Sequence, residues 1–232
     1  MKKKILSFFV FLSIILVGAL TLTACKDTDT NIYVNSADTL SSAIVNAKEN
    51  DVIVLENDID INAQLNVTQK ITLDLNGHKL FNTSDIWSET NSTWSLISVK
   101  ANGDLTITGN GTLDAKENDC YALDIREGGV CTIKNSTFVG NVSAIYVHTG
   151  NLTIENGTFN IKQLSQYSDY RYELNCLDAN LKNAIATITI KGGSFYNYDP
   201  SNSNSENPIE NFLADGYTAT VNSDNYFVVS NA

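Results

Sequence analysis

One strand-and-turn phrase recurs along the chain, and no other feature limits the fold so sharply. It reads CTIKNSTF at 131–138, LTIENGTF at 152–159 and ITIKGGSF at 188–195, with looser versions LDLNGHKL at 73–80 and LTITGNGTL at 105–113. Aligned on the apolar residue before the turn, the anchors are Leu75, Ile107, Ile133, Ile154 and Ile190, at intervals of 32, 26, 21 and 36 residues. A short minimum interval with irregular excess implies a constant frame carrying inserted loops. A second apolar–polar phrase precedes four of the anchors: LISV at 96–99, ALDI at 122–125, AIYV at 144–147 and CLDA at 176–179. Both phrases alternate with period two, as strands with one buried face do. The links KANGD, REGG and HTG are tight turns, and no helical period falls between strands, which argues against leucine-rich or βαβ repeats. With 29 Asn and only two Pro, turns must rest on Asn and Gly. Asn tolerates the left-handed backbone region and bonds its own main chain.

Strand, turn, strand, turn, stacked coil upon coil, is a parallel β-helix. On this spacing and turn phrase, residues 51–195 resemble the right-handed β-helices of the pectate-lyase-like superfamily. The expected fold is all-β, a right-handed parallel β-helix solenoid of about six coils over 51–210. A single coil buries little, so Ile154 and Phe159 are expected to stack on Ile133 and Phe138 below and on Ile190 and Phe195 above. The open ends need cover. Within 33–50, Leu40, Ala43, Ile44 and Ala47 fall at helical spacing behind Ser36 as N-cap, predicting a strand and a capping helix. Within 211–232, ADGYTATVNSDNYFVV predicts a β-hairpin cap, and it is similar to a closing module of bacterial surface proteins.

The first 24 residues stand apart. MKKK, an apolar run and the small-residue end TLTAC have the layout of an export signal. Leu22-Thr23-Ala24-Cys25 resembles a bacterial lipobox, which implies cleavage before Cys25, lipidation of that residue and a tether over 25–32. The protein is then expected to be extracytoplasmic and held at a bacterial membrane. The alternative is a plain transmembrane anchor. Without residues 1–24 the chain carries 12 basic and 26 acidic residues, a charge of −14. Such a surface repels nucleic acid and anionic headgroups, and takes polyanionic sugars only through a bridging cation. Three further cysteines, Cys120, Cys131 and Cys176, contain no C-x-x-C pair, which argues against a disulfide framework or a zinc site. Cys131 occupies the slot of Leu105, Leu152 and Ile188 and reads as a small core hydrophobe. A Cys120–Cys176 bridge stays open as an alternative.

Two outward-facing columns are the candidate chemistry. One reads Ser98, Asp124, Tyr146, Asp178; the next reads Lys100, Arg126, His148, Asn180. Coils lie about 4.8 Å apart, which puts Asp124 and Asp178 roughly 10 Å from each other. Carboxylates about 6.5–9.5 Å apart suit an inverting glycosidase, so Asp124, Asp178, Arg126 and His148 form the candidate catalytic set. Long loops at 81–93 and 160–173 flank a short one at 139–143, leaving a notch beside Tyr146. Trp87, Trp94, Tyr167, Tyr170, Arg171 and Tyr172 would wall it, and with Tyr146 they are the candidate ligand-binding residues, since flat aromatic faces pack on sugar rings. The lyases in the resembled superfamily hold calcium on acidic clusters beside an Arg. Asp114, Glu117 and Asp119 are the candidate calcium ligands here, but no Arg accompanies them. The polygalacturonase signatures N-T-D, D-D, G-H-G and R-I-K are absent. No resident cofactor is therefore expected. The expected function is a non-catalytic surface protein that binds a glycan or a cell-surface partner. The alternatives are a small polysaccharide lyase or glycoside hydrolase, and a ligand-free spacer.

Overall fold

The computed structural model describes residues 31–163 and 172–232. Cys25 and its lipobox, and the loop residues Tyr167, Tyr170 and Arg171, lie outside the described residues.

Strands gather into three sheets that the chain visits in fixed rotation. The first sheet is parallel throughout: Asn31–Val34, Asp51–Leu55, Lys70–Asp74, Asp104–Thr108, Gly129–Ile133, Gly150–Ile154 and Ala186–Ile190. The second contains Ile59–Asp60, Lys79–Phe81, Thr112–Asp114, Thr137–Gly140, Thr158–Ile161 and Gly193–Tyr196, also parallel. It closes on two antiparallel strands, Tyr226–Asn231 and then Tyr217–Val221. The third holds Leu65–Val67, Ser95–Val99, Tyr121–Ile125, Ser143–Val147 and Tyr172–Cys176. Parallel strands joined by short links, each stacked on its counterpart in the previous round, make a solenoid.

Register explains why the phrase repeats. Residues Leu73, Ile107, Ile133, Ile154 and Ile190 lie side by side in the first sheet and are buried, as are Ile71, Leu105, Cys131, Leu152 and Ile188. The second sheet lines up Leu80, Leu113, Phe138, Phe159 and Phe195. Phe159 stacks on Phe138 at 5.3 Å between ring centroids and on Phe195 at 4.7 Å, with interplanar angles of 14° and 8°. Identical side chains at one strand spacing pack face to face, so repetition fills the core without voids. The first anchor is Leu73, not Leu75. Leu75 follows its strand, where its amide donates to the Thr108 carbonyl. The two-residue shift has a local cause: Asn76 and Gly77 both take positive φ and lengthen that corner.

Outside the core, Thr72, Thr106, Thr132, Thr153 and Thr189 form a column on the first sheet, where β-branched side chains favour extended backbone. Corners fall to residues that accept positive φ, among them Asn76, Asn102 and Asn110. Gly150, at φ 109°, is obligatory on a second count: a Cβ there would lie 2.1 Å from the Gly129 carbonyl oxygen one coil below.

Helix α1 (Ala37–Asn46) begins where expected. Ser36 accepts the Thr39 amide through its hydroxyl, and Thr39 accepts the Ser36 amide in return. Leu40, Ala43 and Ile44 are buried in the main core. All three described cysteines are unpaired and buried. Burial drives every thiol up, Cys176 to about 12. None of the three is expected to react with a thiol reagent at pH 8 until denaturant unfolds the chain; prompt labelling of the native protein would contradict this burial.

Candidate functional site

The outer face of the third sheet carries most of the chemistry. Its aligned column runs Asn66, Ser98, Asp124, Tyr146 and Asn175. Asp178 is not in it. The last strand is Tyr172–Cys176, and Cys176, not Ala179, sits opposite Val147. Residues 177–185, including the short helix α2 (Asp178–Lys182), replace the tight turn found in earlier coils. Asp178 instead accepts the Asn207 amide at 2.9 Å, and Asn180 donates its side-chain amide to the His148 carbonyl at 2.6 Å. The expected Asp124–Asp178 column is therefore corrected: an inserted helical turn shifted the alignment by three residues.

Asp124, Arg126 and His148 do come together with the aromatics. Asp124 is 0% exposed, and its Oδ2 accepts from Arg126 Nε at 2.5 Å. Its Oδ1, and the Ser98 hydroxyl, are buried with no partner among the described residues. The guanidinium of Arg126 lies 5.4 Å from the Trp94 ring centroid and 5.7 Å from that of Tyr146, within cation–π range of both. Tyr146 stacks on Tyr121 at 5.3 Å. Trp87 meets Trp94 edge-on at 4.7 Å and Tyr121 at 5.5 Å. Burial raises both phenols, Tyr121 to about 12, so they stay protonated donors near neutral pH. His148 is pushed down by burial and by the Arg126 charge, and is neutral at pH 7.

Trp87, 38% exposed, also forms one wall of an adjoining cleft of about 400 Å³. Trp87 and Val142 give the cleft its apolar wall; Asn118, Asn141 and Gln163 supply amides; Asp85 and Asp119 supply carboxylates. The carboxylate of Asp119 is structural. It accepts the Asn82 side-chain amide at 2.7 Å and the backbone amides of Ile86 and Trp87 at 2.9 Å, which pins the loop carrying Trp87. Asp85 is paired with Lys116. Gln163 is 7% exposed; its amide donates to Asn118, and its Oε1 is buried without a partner among the described residues.

Asp114 and Asp119 are each engaged with other partners. Asp114 lies between Lys79 and Lys162, the latter at 2.6 Å. Burial raises its pKa, but the two lysines outweigh that and hold it below the usual carboxylate range. Among the described residues no group of three or more Asp, Glu, His or Cys side chains is placed to hold a metal ion. Tyr172 starts its strand opposite Ser143 and packs against the core.

Two features of the site have no signature in the sequence. Tyr121 sits directly before ALDI and supplies the central ring of the cluster, and the alternation of that strand gives no reason to single out its first residue. The amide-lined cleft draws on four successive loops that follow strands of the second sheet, which no local pattern reveals. Comparison with protein-family models, with curated proteins and with solved structures gave no match.

Proposed function

We propose that this chain is a lipid-anchored bacterial surface protein that binds a glycan without transforming it. In this reading the solenoid is a right-handed parallel β-helix of the pectate-lyase-like kind with about six coils, closed by α1 at one end and by the hairpin Tyr217–Asn231 at the other. The observation that carries the reading is the position of Trp87, a half-open ring shared by an aromatic cluster and an amide-lined cleft. Sugars present apolar C–H faces and rims of hydroxyls, and they need flat rings and amide donors and acceptors in that combination. Binding is favoured over hydrolysis because Asp124 is sealed from solvent and committed to Arg126, with no second carboxylate aligned on its column. The acidic surface points to neutral glycans.

Titration against a panel of neutral and acidic oligosaccharides tests this. Trp87→Ala is expected to weaken binding to the best neutral ligand about tenfold, equivalent to roughly 1.4 kcal/mol. Urea unfolding of the variant checks that the scaffold is intact. Unchanged affinity in a folded Trp87→Ala variant, or sugar release from the wild-type protein, would remove the reading.

A further inference from the structure

The third sheet ends on the strand Tyr172–Cys176, which has a neighbour strand on one side alone. Its outer edge is met by the segment 198–213, which links Gly193–Tyr196 to the terminal hairpin. The far end of that segment is fastened by main-chain bonds: Ile190 donates to the Phe212 carbonyl and Ala214 to the Ile190 carbonyl, both at 2.8 Å. Its middle is fastened differently. Glu206 accepts the Cys176 amide at 2.8 Å, and Asp178 accepts the Asn207 amide at 2.9 Å, so two carboxyl side chains do what a strand's backbone would otherwise do.

Glu206 is 4% exposed. Its Oε1 also accepts the Ser205 hydroxyl at 2.8 Å, whereas its Oε2 is buried and meets no hydrogen-bond donor among the described residues. The titratable groups around it, among the described residues, are neutral or acidic. Asp178 faces it from α2, Cys176 from the edge strand, Tyr198 from the start of the segment and Tyr146 from the next strand in. Glu173, also on the edge strand, acts on the same Tyr198. Among the described residues, none of the charges acting on Glu206 is a cation.

We infer that residues 199–211, between the core residues Tyr198 and Phe212, are an acid-closed flap over the edge of the third sheet, which lifts when Glu206 gives up its proton. A neutral Glu206 tolerates burial beside Asp178. An ionised one leaves a charged oxygen in a dry site next to a second carboxylate, a cost that exposure to water relieves. Burial first, and Asp178 second, hold Glu206 up at about 7 against the opposing Ser205 and Cys176 bonds. The flap is therefore shut in mild acid and loosens above neutrality. Lifting frees the Cys176 amide and leaves an open edge able to pair with another strand.

Hydrogen exchange of the full chain between pH 5.5 and 9, corrected for intrinsic rates, reads this directly. Peptides covering 199–211 and Cys176 are expected to lose protection at least tenfold through a transition near pH 7. Glu206→Gln should abolish the transition and stay protected throughout. Asp178→Asn should move the midpoint to lower pH, which keeps the test alive if the first variant fails to fold. Glu173→Gln should leave the midpoint in place. Protection that ignores pH in the wild type, a transition that survives Glu206→Gln, an unmoved midpoint in Asp178→Asn, or loss of the transition in Glu173→Gln would each overturn the flap as assigned.

Discussion

Phe159→Ala is expected to cost about 3–5 kcal/mol. The ring is fully buried between Phe138 and Phe195 and makes stacked contact with both. Removing it deletes two aromatic contacts worth roughly 0.5–1.5 kcal/mol each beyond their area. The cavity cannot collapse easily, because the neighbouring rings are fixed by strand pairing of Thr137–Gly140 and Gly193–Tyr196 to the same strand. Phe159→Leu should be much milder, since Leu113 and Leu80 already fill this column two and three coils away. Urea unfolding should show a lower midpoint at unchanged slope. A loss under about 1 kcal/mol would mean that the stack is not continuous.

The second large effect is on pH. Glu173 is 3% exposed, and burial pushes it up to about 8; Glu206 is held at about 7. In the unfolded chain both titrate near the ordinary value of about 4.3. Between those limits the native chain holds protons that the unfolded chain has lost, so stability is full below about pH 4 and drains away as pH climbs to about 8. Each pH unit between the folded and unfolded titrations is equivalent to about 1.36 kcal/mol, so Glu173 alone accounts for a few kcal/mol. Asp114 acts in the opposite sense. Its lowered pKa adds stability above the ordinary carboxylate range, which is lost in strong acid. Thermal unfolding should therefore peak in mild acid, with Tm several degrees lower at pH 8 than at pH 5. Glu173→Gln should raise Tm at pH 8 and flatten the profile. A Tm that rises steadily from pH 5 to pH 8 would show that these carboxyls are not buried as described.

The core was legible because its cause is local. Every coil that spells T-I-x-x-x-T-F or a near variant presents the same apolar positions, and Ile133, Ile154, Ile190 and the three Phe residues align as their spacing requires. The N-cap at Ser36 was equally local. The second sheet was harder to foresee, since strands such as Ile59–Asp60 and Lys79–Phe81 are too short to show alternation. They exist because the neighbouring coil supplies their hydrogen bonds.

The site was half legible. Trp87, Trp94 and Tyr146 converge because loop length between coils fixes which corner an insertion occupies. Asp178 went wrong because CLDA imitates the alternation of ALDI while its own Cys176 is the strand's last residue. A pattern of four residues cannot tell a strand from the first turn of a helix. The saturation of Asp119 by amides was likewise invisible, since its partners Asn82, Ile86 and Trp87 belong to the previous coil.

The reversed hairpin at the end of the second sheet bears on fibre growth. A chain that spells nearly the same rung several times is a ready template for polymerisation, provided that each newcomer runs in the same direction as the rung beneath it. Here Tyr226–Asn231 and Tyr217–Val221 leave an antiparallel ladder as the last surface. Its hydrogen-bond spacing differs from that of the rungs within, so on that sheet a second molecule meets a ladder unlike the rungs beneath it.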